Sequence, residues 1–160
     1  MNKLFVLLAL VLTAVFPKSS FAWTPPPSPK PDSAISDQAN VLSSDAHKRL
    51  DAKLSKINSS TANEIAVLIV PTLDGESIED VSFATAKSWG VGKSGLDNGV
   101  LIVLAMKEHK SRIETGKGVG GDLPDLKTND IQQNVLRPYM KKGDGEGGLS
   151  ATIDSVSQAI

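Results

Sequence analysis

The sequence has no cysteine among its 160 residues. That absence removes disulfides, thiol catalysis and zinc–thiolate sites together. Stability must come from the core, and any metal must be held by oxygen ligands or by the two histidines. A strong excess of either charge is also missing: 17 basic residues face 18 acidic ones, for a net charge of -1. Such a balance argues against general affinity for nucleic acid or an anionic membrane. Nor is there a nucleophile–base pair of the hydrolase kind. His47 falls on the polar face of a predicted helix and His109 in a predicted hairpin turn, so both are expected at the surface.

What is there begins with an export signal. Lys3 supplies a positive start, Leu4 to Phe16 is apolar except for Thr13, and Ser20-Phe21-Ala22 puts small residues where a signal peptidase reads. The run is shorter than the ~20 residues that span a bilayer, and no later segment is long and apolar enough to do so. Cleavage is expected after Ala22, giving a mature chain that starts at Trp23 and works in the periplasm or outside the cell. Taking Lys3 and Lys18 from the 17 basic residues leaves 15 against 18 acids, a net charge of -3. Residues 23–31 (Trp-Thr-Pro-Pro-Pro-Ser-Pro-Lys-Pro) hold five of the nine prolines. They read as an extended spacer, with a motif for a proline-reading partner as the sharper alternative. Residues 32–160 read as one domain.

Within that domain, Leu42-Ser43-Ser44-Asp45 opens a helix whose Ala46, Leu50, Leu54 and Ile57 make one apolar stripe. Glu64 to Val70 is a continuous apolar, β-branched run stopped by Pro71, the pattern of a buried strand. Ser77 and Asp80 open a second helix that runs to Trp89, and Asn98 to Ala105 is a second buried strand. Strand, helix and strand make a parallel βαβ unit. The short polar stretch Met106 to Lys110 and the alternating Arg112-Ile113-Glu114-Thr115 make a hairpin, so the third strand returns antiparallel. Leu126 to Tyr139 is a third helix, Gly143 to Gly148 a loop, and Leu149 to Ile160 a closing helix. The expected fold class is α/β, a three-layer α/β/α sandwich with a mixed sheet in a single domain.

The hairpin brings two distant loops to one end of the sheet. Leu96-Asp97-Asn98 should meet the loop from Gly116 to Asp125, which gathers Asp97, Asp122 and Asp125, with Glu114 near the end of the strand between them. Carboxylates, and the carbonyls that glycines let approach, are what Ca²⁺ or Mg²⁺ coordinates. The same acids can instead cap a turn and a helix, which is the commoner use of Asp, and the residues alone leave both readings open. Gly92-Lys93-Ser94 lacks the earlier glycine and the preceding strand of a phosphate loop. Gly116 to Gly121 has dinucleotide-binding spacing but follows a hairpin strand. Asp144 and Glu146 suggest a calcium loop whose bidentate Glu would fall at Ser155. None of these three motifs stands.

In order, Asp37-Gln38-Ala39-Asn40-Val41-Leu42, Trp89-Gly90-Val91-Gly92, Asp97-Asn98-Gly99-Val100-Leu101, Arg112 to Gly118, Pro124-Asp125, Pro138-Tyr139, Gly143-Asp144 and Gly148-Leu149 resemble the TPM domain. That family groups thylakoid-lumen, photosystem-repair and bacterial membrane-tethered proteins, and the resemblance spans residues 32–160. It implies an α/β/α sandwich, export, frequent binding of divalent cations and, for some members, a weak acid phosphatase activity. The family's acidic positions match Asp37, Asp97 and Asp125. Gly120 stands where many relatives carry Glu, with Asp122 as a substitute. Residues and resemblance together give Asp97, Asp122, Asp125, Glu114 and Asp37 as expected ligands for Ca²⁺ or Mg²⁺. The expected role is an exported, non-catalytic or weakly catalytic accessory factor in envelope or membrane-protein maintenance, with protein partners at or near a membrane and no nucleic acid. A cation-dependent phosphatase and a structural module without metal are the alternatives.

Overall fold

The two unbroken apolar runs form the centre of a four-stranded sheet in the computed structural model, which describes residues 23–160. The expected signal peptide, residues 1–22, lies outside the described residues. Strands β1 (Ile35–Asp37), β2 (Glu64–Val70), β3 (Gly99–Ala105) and β4 (Lys110–Thr115) lie side by side in that order. The first three are parallel, and β4 runs antiparallel to β3 with Glu114 opposite Leu101. The mixed sheet, its βαβ unit and its hairpin match the sequence expectation. β1 is an addition, because three residues are too few to carry a period and only pairing with Val67 to Ile69 defines it.

β2 and β3 are apolar throughout because both of their faces are covered. Ile65, Val67, Ile69, Val100, Ile102 and Leu104 face one core. Ala66, Leu68, Val70, Leu101, Val103 and Ala105 face the other. On the first face lie α1 (Ser44–Ser60), α3 (Asp125–Asp130), a π-helical turn (Ile131–Leu136), α4 (Arg137–Lys141) and α5 (Gly145–Ala159). Helix α2 (Ile78–Trp89) lies on the second. Helices α1 and α2 start where the sequence places them: Ser43 accepts from the Ala46 N–H, and Ser77 from the Asp80 N–H. Strand order advances the same way through β1, β2 and β3, yet α1 and α2 cross on opposite faces. The two crossovers therefore have opposite hands, and one breaks the strong right-handed preference.

The proline-rich segment is not a free tether. Trp23 packs on the second core, and its indole N–H donates to Thr85 Oγ1 at 3.1 Å. Trp89 donates to the Pro26 carbonyl at 2.8 Å. Lys30 reaches the Gly90 carbonyl at 3.0 Å and pairs with Glu64.

Two details near the C-terminus depart from expectation. The stretch from Gly143 to Gly148 is not wholly loop, because α5 already starts at Gly145, with Asp144 accepting from the Gly147 N–H at 2.8 Å. Its glycines mark close packing: a Cβ on Gly148 would lie 3.0 Å from Tyr139 Cβ, and one on Gly145 3.0 Å from Val41 Cγ1. The other departure is the π-helical turn just before Pro138. Ile131 and Leu136 are five residues apart, which would set them ~140° apart on an α-helix. The wider turn lets both enter the first core.

The β3–β4 turn is tied down by Glu108, whose carboxylate accepts from the Thr72 hydroxyl at 2.8 Å and the Leu73 N–H at 3.2 Å. Burial pushes this carboxyl up, but those two bonds, its own N–H and nearby Lys107 outweigh it and leave it below the usual carboxylate range. A lowered carboxyl adds stability above its unfolded value of about 4 and loses it as pH falls through the folded value. Glu108→Gln should therefore lower the melting temperature more at pH 7 than at pH 3, and thermal melts at the two values should show the gap closing.

Candidate functional site

The site is built on a loop tied down by two side chains and by main-chain hydrogen bonds. Asn98 is 5% exposed; its side-chain oxygen accepts from the Lys93 N–H at 2.8 Å, and its amide donates to the Ala62 carbonyl. Glu64 accepts from the Gly92 N–H at 2.9 Å. Asp97 sits at φ 47, the left-handed region that Asp and Asn adopt more readily than most residues. Its carbonyl accepts from the Gly118 N–H at 2.9 Å, and the Gly116 N–H donates to the Gly99 carbonyl at 2.8 Å. A Cβ on Gly116 would collide with the Asp97 carbonyl oxygen, and one on Gly118 with that of Leu96. The loops before β3 and after β4 thus meet backbone to backbone, as the hairpin requires.

Asp97, Asp122 and Asp125 are all exposed at this end of the sheet. Among the described residues none of their carboxylates accepts a hydrogen bond. The α3 cap position is Pro124, without a side-chain bond, and Asp122 is engaged only through its main chain: its N–H donates to the Val119 carbonyl at 3.1 Å and its carbonyl accepts from Lys127 at 3.2 Å. Glu114 lies on the α2 side of β4 and is paired with Arg112 at 2.8 Å. With Asp97 it lines a shallow cavity of about 260 Å³ between α2 and the sheet, which Phe83, Lys87, Val91 and Lys117 also border. Asp37 is elsewhere. It stands opposite Ile69, near the far end of β2, whereas Gly99 stands opposite Glu64. Five residue steps separate those positions, about 17 Å along the strand. The Asp37 carboxylate accepts from the N–H groups of Ala39 at 3.1 Å and Leu42 at 2.8 Å, so it closes the turn into α1.

The exposed acids offer the hard oxygen donors that Ca²⁺ and Mg²⁺ prefer. However, among the described residues no three His, Asp or Glu side chains converge closely enough to hold a metal by themselves. A cation shell here needs main-chain carbonyls and water as well. The sequence expectation does not include Lys87, which lines the cavity, or Arg112, which pairs with Glu114 there. Their signal was present but faint, since Lys87 lies off the inner stripe of α2 and Arg112 alternates with buried Ile113 on β4.

A family model described as the TPM domain matches residues 35–159. The N-terminal domain of a protein from P. gingivalis, solved by NMR in solution, is 34% identical, with 81% of this chain and 83% of that one covered and a TM-score of 0.73. Two further NMR structures share the fold. One is the N-terminal domain of a protein from Corynebacterium glutamicum, at 20% identity, 86% coverage of each chain and a TM-score of 0.64. The other is a protein from the psychrophilic bacterium Bizionia argentinensis, at 21% identity, 74% and 80% coverage and a TM-score of 0.61. No curated protein matches the chain.

Proposed function

The chain belongs to the TPM domain family, and from that premise we propose that it is an exported accessory domain that binds Ca²⁺ or Mg²⁺ and acts through protein partners at or near a membrane. One observation carries the cation reading. Asp97, Asp122 and Asp125 hold carboxylates free of internal hydrogen bonds on two loops joined backbone to backbone. Carboxylates on adjoining loops repel one another when they approach, and a cation between two of them relieves that repulsion. Asp97 with Asp122 or Asp125 would hold the ion, and carbonyls and water would complete its shell. Such a partial set of charged ligands points to the weak end of calcium sites, with Kd about 10⁻⁴–10⁻³ M. Glu114 is committed to Arg112 and Asp37 to its turn, so neither is assigned. The signal-peptide pattern of residues 1–22 supports the location.

Calorimetric Ca²⁺ titration of the mature chain and of Asp97→Asn tests this. Asn tolerates the left-handed backbone at this position as Asp does, so the change removes charge and little else. Affinity should fall roughly tenfold, while stability in chelator stays within about 0.5 kcal/mol. Unchanged affinity would overturn the site.

A second reading, a cation-dependent phosphatase, is favoured by Lys87 and Lys117, which border the same cavity as Asp97. Two cations there would neutralise phosphoryl oxygens. Without a placed general base, turnover of a phosphomonoester should be slow and should vanish in chelator. Fast, chelator-resistant hydrolysis would contradict both readings.

A further inference from the structure

We propose that the flank of α2 around Trp89 is a binding groove for proline-rich segments that carry a basic residue, and that residues 23–31 occupy it in cis. An extended proline segment makes no internal hydrogen bonds, so its carbonyls stay open to a donor. Grooves that read such segments offer aromatic faces, and a buried indole N–H seeks an acceptor. Trp89 is 5% exposed and donates to the Pro26 carbonyl at 2.8 Å. Trp23 docks three residues earlier, on Thr85. Four residues after Pro26, Lys30 pairs with Glu64 and donates to the Gly90 carbonyl at the C-terminal end of α2, where the helix dipole favours a cation. Three contacts at fixed spacing define a register: an aromatic residue, then an accepting proline carbonyl, then a positive charge. The segment lies outside residues 35–159, the part matched by the family model. The groove meets the loop before β3 at Glu64, which pairs with Lys30 and also accepts from the Gly92 N–H.

Both tryptophans of the chain, Trp23 and Trp89, lie in this contact, so tryptophan fluorescence and the indole N–H resonances in NMR read it directly. The experiment uses the mature chain and a synthetic peptide with the sequence of residues 23–31. Lys30→Glu sets two carboxylates against each other and should free the segment, giving a large shift of the Trp89 indole signal. Added peptide should then restore the docked signal and bind ~tenfold more tightly than to the unaltered chain, whose tethered segment competes at millimolar effective concentration. A peptide with Glu in place of its lysine should not bind. Trp23→Ala loosens a different contact and should give the same gain in peptide binding. An undisturbed Trp89 signal in both variants, no peptide response in either, or equal binding of the two peptides would overturn the groove.

Discussion

Gly116→Ala is expected to remove about 3 kcal/mol of stability or more and to lower the melting temperature by on the order of 10 °C. A methyl group there would run into the carbonyl oxygen of Asp97, with the Gly99 nitrogen 3.4 Å away. Both neighbours are main chain, so no side chain can swing aside. Making room would break the bonds from the Gly116 N–H to Gly99 and from the Gly118 N–H to Asp97. Gly121→Ala, five residues along the same loop, provides the control, because nothing lies within 4 Å of the added atom. That change should be near neutral, or slightly stabilising through the unfolded chain. Calorimetry of the two variants measures the difference directly. Equal melting temperatures would mean that the loops before β3 and after β4 are not held together.

Asn98→Ala should cost about 2–3 kcal/mol. The side chain is buried and bonded at both ends, so its loss strands the Lys93 N–H and the Ala62 carbonyl together. Asp97 precedes it in the chain and depends on it for position. Cation affinity should therefore fall along with stability, whereas Asp97→Asn should change affinity alone. Urea unfolding and Ca²⁺ titration of the two variants separate the residue that places the loop from the residue that would touch the ion. A loss below about 0.5 kcal/mol for Asn98→Ala would mean that water replaces the side chain.

The parts of the fold legible in the sequence are those where burial leaves one solution. β2 and β3 had to be continuous apolar runs, because both faces of each are covered. The polar stretch before Arg112 is too short for anything but a hairpin. β1 was hidden because three residues show no pattern without their partner strand. The start of α5 was hidden because Gly145 and Gly148 look like a loop in sequence but serve as close contacts in space. The composition of residues 23–31 signalled an extended chain without naming the surface it lies on. At the site, topology alone brought Asp97 next to the glycine loop. Motif resemblance put Asp37 in the same set, although the sheet separates the two by most of its length. One carboxylate looks like another in sequence, and only the bonds to Ala39 and Leu42 reveal what Asp37 does.

The π-helical turn limits how this chain can change in length. A π turn is an α-helix accommodating one residue too many. Loss of a single residue within 131–136 would let it relax to an α-helix, and the helix beyond would keep nearly the same phase, because the wide turn already absorbs the extra residue. Leu136 would stay in the first core and Tyr139 beside Gly148. A further inserted residue meets no such slack and would rotate everything beyond by about 100°. Length variants of this segment should therefore tolerate the loss of one residue better than the gain of one.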